Sequence, residues 1–258
     1  MTTAYDRLGL RGVINAAATL TKLGGSIMPA PVVEAMSSAA QSFVDLIELQ
    51  RRVGERIAQM THNDACYVSS GAAAGITLAV AACIAGVDPA LTSSFPYLDG
   101  RPRDVIVWRS QRNGYDYAAR LTGARLLEIG PSTQELTAAC NERTAAILWF
   151  AGANYAAGAL TLEEIVPIAR QAGIPVLVDA AAQIPPVANL WRFTKELGAD
   201  IAIFSGGKGL RGPQATGLVL GRPDIIEGCR VNGSPNHALG RPMKVGKEEL
   251  AGILAAVE

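Results

Sequence analysis

The sequence has 258 residues, and its 23 Lys and Arg residues balance its 23 Asp and Glu residues, so the formal net charge is zero. Apolar residues make up 49% of the chain and charged residues 18%. This composition excludes an intrinsically disordered chain, because disordered chains are rich in charge and poor in apolar side chains. A balanced charge also offers no basic excess for a nucleic-acid backbone, so a nucleic-acid partner is not expected.

The four cysteines, Cys66, Cys83, Cys140 and Cys229, form no C-x-x-C pair, and only two histidines accompany them. This pattern argues against a metal site or a disulfide framework and favours reduced thiols in a cytoplasmic protein. The first ten residues lack the basic segment and apolar run of a signal peptide. The uncharged stretch 65–87 is interrupted by small polar residues, so we predict a strand and a buried helix there rather than a membrane span.

Short apolar runs alternate with helical patterns along the chain. In chain order we predict a strand at 65–68, a helix at 72–85, strands at 104–108, 124–129 and 144–150 with a helix at 115–122 between the first two, a helix at 161–172, a strand at 174–178, a helix at 191–197, strands at 200–204 and 216–220, and a last helix at 247–257. Thr161 and Glu164 form a capping box at the start of one helix. Because the strands are apolar throughout, we expect both of their faces to be buried. The sequence therefore predicts an α/β fold with a mostly parallel sheet and helices on both faces.

A segment rich in proline and glycine, residues 232–242, is the best candidate for a domain boundary. We therefore assign residues 1–240 to an N-terminal segment plus a large domain. Residues 241–258 are assigned to the start of a small C-terminal domain.

Ligands of such sheets bind at the carboxyl ends of the strands. At one of these ends, Ser69 to Gly75 turns from strand to helix through small residues. The N–H groups and the positive dipole end of a helix N-terminus attract anions, and small residues let a phosphate approach the backbone. The stretch therefore indicates a phosphate site, with an ordinary tightly packed helix start as the alternative.

Two further strand ends carry ionisable residues. Asp179 follows an apolar strand, where a carboxylate needs a protonated pyridine nitrogen, an arginine or a turn N–H as partner. Lys208 lies in the glycine-rich loop Ser205 to Gln214 after the next strand. A lysine that loses solvation there can form a Schiff base, and the glycines would leave room for a planar cofactor. The alternative is a solvated lysine in an ordinary turn.

The same loop contains the dinucleotide pattern G-x-G-x-x-G at Gly207, Gly209 and Gly212. That pattern must open a helix, whereas Pro213 and a predicted strand follow here. A nicotinamide cofactor is therefore not expected. A phosphate site, a buried acid and a lysine at neighbouring strand ends are instead the parts that hold pyridoxal 5′-phosphate (PLP).

The chain resembles fold-type I PLP enzymes. It more closely resembles the family that contains bacterial selenocysteine synthase (L-seryl-tRNA(Sec) selenium transferase) and D-glucosaminate-6-phosphate ammonia-lyase. The resemblance covers nearly the whole chain and is carried by Gly12–Ala16, Leu23–Ser26, Ser69–Gly75, Asp179–Ala181 and Ser205–Gln214. The last segment is the most specific, since selenocysteine synthases also place the lysine between a Ser-Gly pair and Gly-Pro-Gln.

The resemblance implies a role for individual residues. Lys208 would form the Schiff base (aldimine) and Asp179 would pair with the pyridine nitrogen. The phosphate would bind to Ser70, Gly71, Ala72 and Ser205.

Other roles implied by the resemblance are less specific. Asn154 would lie near the phenolic oxygen of the cofactor, and a residue within Gln111 to Tyr115 would lie against its ring. Arg211 or Arg241 could bind a substrate anion, or be solvated surface charges. Gln183 stands four residues after Asp179, whereas cysteine desulfurases use a spacing of three, so that activity is not supported.

The resemblance implies a PLP-dependent lyase that removes ammonia from a small amino acid or amino sugar acid by α,β-elimination. A selenium transferase is the alternative, although only about a dozen residues precede Ile14 where selenocysteine synthase has a tRNA-binding domain. Family members continue into a small C-terminal domain that is largely absent here, so the chain is expected to be truncated. A non-catalytic PLP-binding fragment is therefore a further alternative. The family also implies a homodimer or higher oligomer.

Overall fold

The computed structural model describes residues 4–98 and 100–258. Its helices are α1 Ala30–Ala39, α2 Leu46–Met60, α3 Ala72–Ala85, α4 Pro89–Thr92, α5 Tyr117–Arg120, α6 Thr133–Ala139, α7 Ala153–Ala156, α8 Leu162–Ala172, α9 Asn189–Trp191, α10 Pro223–Asn232 and α11 Lys247–Val257. Its strands are β1 Ala65–Ser69, β2 Asp104–Trp108, β3 Arg125–Ile129, β4 Thr144–Phe150, β5 Val176–Asp179, β6 Ile201–Ser205 and β7 Gly217–Gly221. No helix of the described residues is long and apolar enough to cross a membrane.

The seven strands form one sheet in the order β1-β7-β6-β5-β4-β2-β3. The pairs β6–β5, β5–β4, β4–β2 and β2–β3 are parallel, whereas β7 is antiparallel to both β1 and β6. The sheet is therefore mostly parallel, which confirms the predicted α/β class. The carboxyl ends of β1 and of the parallel strands, together with the start of β7, share one edge of the sheet.

Apolar side chains cover both faces of the sheet, as the uninterrupted apolar strands predict. In β2, Ile106 and Trp108 pack into one core with α2, α6, α8 and α11. The alternate residues Val105 and Val107 pack into a second core with α3, α5 and α10. The strands are thus buried between two layers of helices.

Helix α3 is apolar or small on every side, and most of its residues are buried. A Cβ added to Gly75 would lie 2.9 Å from Ile203 Cγ2, so glycine lets the first turn of α3 rest directly on β6. This close packing places the N-terminus of α3 at the edge of the sheet where the strands end.

Most predicted elements are present within a few residues of their expected bounds, and two helices are shorter. In place of 115–122 there is a 3₁₀ turn, Gly114–Asp116, followed by α5. The side chains of Asn113 and Asp116 form a capping box at the start of this turn, so the helical segment begins as a separate 3₁₀ turn. In place of 191–197, α9 runs into a wide turn at Arg192–Glu196.

Helices α1, α2, α4, α6, α7 and α10 occur in stretches for which we made no prediction. Helix α11 packs against α1 and α2, and Lys247 Nζ donates a 2.7 Å hydrogen bond to Ala39 O. The domain assignment 1–240 and 241–258 stays a prediction, and its residues 1–3 and 99 lie outside the described residues.

Candidate active site

A cavity of about 580 Å³ opens at the edge where β1, β4, β5 and β6 end. Its size is that of a typical small-molecule site. The cavity wall includes all seven residues to which cofactor binding was assigned: Ser70, Gly71, Ala72, Asn154, Asp179, Ser205 and Lys208. The fold thus brings together residues from four separate segments of the chain.

One end of the cavity is formed by the N-terminus of α3. Gly71 precedes the helix with φ of 123°, a backbone conformation that favours glycine, and no side chain caps the helix there. A Cβ at Gly217 of β7 would lie 2.6 Å from Gly71 C and 2.8 Å from Ala72 N. Two glycines therefore keep side chains away from the first N–H groups of α3, which leaves an anion cradle of the kind a phosphate needs.

Asp179 lies at the end of β5 and is only 7% exposed. Its Oδ1 accepts a 3.0 Å hydrogen bond from Ala181 N–H, and Oδ2 has no hydrogen bond within the described residues. Burial raises the pKa of Asp179, while the Ala181 hydrogen bond and the charge of Lys208 lower it. A buried carboxylate with a free oxygen in a cavity fits a cationic N–H donor such as a protonated pyridine.

The glycines around Lys208 are required by the packing of the loop itself. A Cβ at Gly206 would lie 2.0 Å from Thr216 Oγ1, and one at Gly209 would lie 2.1 Å from Ile184 O. The loop is therefore pressed against its neighbours on both sides of Lys208. This packing fixes the point at which Lys208 enters the cavity. It also explains the glycines, for which the sequence had suggested room for a planar cofactor.

The segment Gln111 to Tyr115 supplies one residue to the cavity wall. Tyr115 lines the cavity, whereas Gln111 is completely buried behind it. Tyr115 is therefore the residue of this segment that borders the cavity, and its contact with a bound ring stays a prediction.

Several lining residues were given no role from the sequence: Thr19, Thr21, Tyr155, Gln183 and Gln214. The sequence could have indicated Tyr155 as a cavity residue, because it follows Asn154 shortly after the end of β4. Burial, with the nearby charge of Asp179, raises its pKa, so its hydroxyl stays protonated at neutral pH. No sequence pattern indicates that Thr19 and Thr21 line the cavity, because only the path of the N-terminal segment brings them there.

The two arginines considered for a substrate anion do not line the cavity among the described residues. Arg211 is exposed, and its Nε donates a 3.2 Å hydrogen bond to Ile27 O. Arg241 is exposed in the turn after α10. Their assignment to substrate binding stays a prediction.

The sheet order, the buried acid, the lysine loop and the anion cradle together define the class of fold-type I PLP enzymes. Residues 28–235 match the family model described as Aminotransferase class-V. The chain belongs to this family, and its cofactor is PLP.

The chain is similar along its length to proteins of established function. It is 34% identical over 263 residues to a D-glucosaminate-6-phosphate ammonia lyase of Salmonella typhimurium, covering 98% of the chain and 69% of the relative. A solved structure of D-glucosaminate-6-phosphate ammonia-lyase has a TM-score of 0.91 at 32% identity, covering 99% of the chain and 69% of that structure.

Two other activities occur among similar proteins. A 5′-C-glycyluridine monooxygenase-decarboxylase of Streptomyces sp is 36% identical over 268 residues, covering 99% of the chain and 65% of the relative. An L-seryl-tRNA(Sec) selenium transferase of Moorella thermoacetica is 26% identical, covering 97% of the chain and 56% of the relative. The chain thus spans between about half and two thirds of the length of these relatives.

Proposed function

We propose that the protein is a PLP-dependent lyase that releases ammonia from a small amino acid or amino sugar acid. One observation carries the proposal: Asp179, Lys208 and the uncapped N-terminus of α3 meet in one cavity. The likeness to an ammonia lyase at 34% identity and a TM-score of 0.91 supports this chemistry.

The cavity residues divide into groups that would hold different parts of the cofactor. The cradle at Gly71 and Ala72, with the hydroxyls of Ser70 and Ser205, would bind the phosphate. Asp179 would accept the pyridine N–H, and its low exposure would keep water from competing for that bond. Asn154 would face the phenolic oxygen. When bound, PLP withdraws electrons from the Cα of an amino substrate.

Lys208 would carry both the cofactor linkage and the proton transfer. Its Nζ would be freed when the substrate amine binds in its place, and that nitrogen would accept the Cα proton. Loss of a β-hydroxyl as water gives an unsaturated amine. Addition of one water to that product releases ammonia, so the net products are a 2-oxo-3-deoxy acid and ammonia.

A sugar acid suits the polar lining of the cavity better than an apolar amino acid does. Hydroxyl and amide side chains that were given no cofactor role also line the cavity: Thr19, Thr21, Tyr115, Gln183 and Gln214. Such groups can exchange hydrogen bonds with the hydroxyls of a sugar chain, which an apolar side chain cannot do.

Oxidative decarboxylation is a second candidate, favoured by the 36% identity to the glycyluridine enzyme. Selenium transfer to seryl-tRNA is a third, supported by relatives at 26% identity. The zero net charge argues against a tRNA-sized substrate, because phosphate backbones select basic surfaces.

A second copy of the chain is the partner we propose. Apolar side chains of the N-terminal region are exposed: Val13 by 71%, Ile14 by 98% and Phe43 by 105%. Large exposed apolar side chains are typical of protein interfaces, and a homodimer or higher oligomer would cover them.

We also propose a cytoplasmic location. All four cysteines are free thiols. Burial raises the pKa of Cys66 to about 12, which keeps it in the unreactive thiol form. Unpaired cysteines are typical of a reducing compartment.

The experiment that tests the proposed reaction measures products from purified protein loaded with PLP. D-glucosaminate 6-phosphate is the first substrate, 5′-C-glycyluridine with dioxygen the second, and Lys208→Ala the control. Ammonia and a 2-oxo acid from the first substrate, absent with Lys208→Ala, would support the lyase. Carbon dioxide from the second substrate alone would replace it with the oxidative decarboxylase. A loaded protein that yields neither product would overturn the lyase proposal.

A further inference from the structure

Gln111 is a completely buried residue that does not touch the cavity but bonds to the segment that does. It ends the 3₁₀ turn Arg109–Gln111 after β2 and is 0% exposed. Its Oε1 accepts a 2.9 Å hydrogen bond from Phe150 N–H. Its Nε2 donates to Phe150 O and to Tyr155 O, each at 3.2 Å. One side chain therefore makes three hydrogen bonds to the chain segment 150–155.

The separation of β2 from β4 explains why an amide is needed here. The two strands pair only as far as Ile106 and Ile147. At its end β4 pairs with β5 alone, through Phe150 and Asp179. The N–H and C=O of Phe150 that face β2 have no strand partner, and buried backbone groups without partners are costly. The Gln111 amide replaces the missing strand, because it presents one donor and one acceptor side by side.

The third hydrogen bond extends this support to the cavity wall. Helix α7 has only four residues and no side-chain cap. It carries Asn154 and Tyr155, which both line the cavity. The bond from Gln111 Nε2 to Tyr155 O thus ties the short helix to the end of β2. Gly152, with φ of 130°, is the bend that this bond holds in place.

We propose that Gln111 is a positioning residue that holds Asn154 and Tyr155 at the cofactor. The inference rests on the cofactor placement of the proposed function. Gln111 acts through the backbone of α7 and makes no contact with the reacting atoms. Loss of its amide would let α7 move away from the cavity while Asp179, Lys208 and the phosphate cradle stay in place.

The test compares Gln111→Leu with Gln111→Glu and the wild-type protein. Leucine removes all three hydrogen bonds, whereas glutamate keeps an acceptor for Phe150 N–H and loses both donated bonds. We expect PLP affinity to fall roughly tenfold in Gln111→Leu, since each lost bond weakens the segment by a small factor. Gln111→Glu should lie between the two. In the protein without cofactor, amide hydrogen exchange at residues 151–157 should become faster in both variants.

A matched control separates positioning from a general loss of stability. Asn232 at the end of α10 is also a completely buried amide, and its Nδ2 donates to Gly228 O at 2.9 Å. Asn232→Ala should lower stability without changing PLP affinity or the absorbance maximum of the bound cofactor. In an Asn154→Ala background, Gln111→Leu should have less effect on affinity than in the wild-type background, because one of the two side chains it positions is gone.

The outcomes distinguish this inference from the proposed function. Unchanged affinity and unchanged exchange at 151–157 in a folded Gln111→Leu or Gln111→Glu protein would overturn the role of Gln111. Equal effects of Gln111→Leu with and without the Asn154 side chain would overturn the positioning of Asn154. Failure of the wild-type protein to bind PLP would instead contradict the cofactor placement.

Discussion

The carboxylate of Asp179 and the ammonium of Lys208 face one cavity, and the charge of Lys208 lowers the pKa that burial raises at Asp179. Within residues 4–98 and 100–258, Asp179 Oδ2 has no hydrogen bond, and Lys208 Nζ has no hydrogen bond or ion pair. The tight packing of the lysine loop fixes the backbone from which the Lys208 side chain extends. The two residues are arranged for a cofactor that binds both.

The raised pKa of Asp179 predicts the behaviour of Asp179→Asn. A carboxyl whose folded pKa exceeds its unfolded pKa favours folding below the unfolded pKa and loses that contribution as pH rises through the folded pKa. Loss of the proton from the buried Asp179 as pH rises therefore lowers the stability of the cofactor-free protein. Asparagine keeps the acceptor for Ala181 N–H without the charge. We expect Asp179→Asn to raise the Tm of the cofactor-free protein by a few degrees, because 1 kcal/mol corresponds to about 2–4 °C in a protein of this size.

The same substitution should weaken function. Asparagine cannot hold a protonated pyridine nitrogen by charge, so turnover should fall by about 100-fold or more. Calorimetry across pH checks the first effect and product formation the second. A variant that is less stable without cofactor at neutral pH would contradict the assigned effect of burial.

The anion cradle predicts a strong effect of Gly217→Ala. The added Cβ would press on Gly71 C and Ala72 N, so the start of α3 must shift. We expect affinity for PLP to fall by about tenfold or more, and added inorganic phosphate should no longer raise the Tm.

Gly86→Ala, at the opposite end of α3, is the control. It has open space around its Cβ but φ of 55°, so it should cost about 1 kcal/mol of stability and leave phosphate binding unchanged. Equal phosphate binding by both variants would argue against the cradle.

Two hydrogen bonds from the lysine loop are expected to hold the backbone of the N-terminal segment 21–27 in place. Arg211 Nε donates to Ile27 O, and Gln214 Nε2 donates to Thr21 O at 2.9 Å. Arg211→Ala should speed amide exchange at residues 21–27 by about three- to tenfold, since one such bond contributes about 0.5–1.5 kcal/mol. Arg241→Ala is the control, because its exposed side chain has no hydrogen bond or ion pair within the described residues. Unchanged exchange with a raised KM for an anionic substrate would instead assign Arg211 to substrate binding.

The parts of the site that could be predicted are those fixed by strand ends. Asp179 and Lys208 each follow a fully apolar strand, and parallel strands bring their carboxyl ends to one edge. The small residues from Ser69 to Gly75 likewise predict where a helix begins. Local sequence is sufficient at these positions because the pairing of the strands brings their ends together.

The parts that could not be predicted depend on the tertiary path of the chain. Thr19 and Thr21 reach the cavity because the N-terminal segment lies against the lysine loop, where a Cβ at Gly25 would be 2.7 Å from Gly207 O. Gln111 lies within the segment expected against the ring, yet it faces the backbone of β4 while Tyr115 faces the cavity. No local pattern distinguishes these two orientations.

The central claim, that Asp179, Lys208 and the α3 cradle form a PLP site, is tested most directly by borohydride reduction of the protein mixed with PLP. We expect a visible absorbance band in the wild-type protein, which reduction converts to a stable bond that peptide mass spectrometry places on Lys208. Lys208→Ala should give neither the band nor the modified peptide. A folded wild-type protein without the band, or with the label on another lysine, would contradict the account.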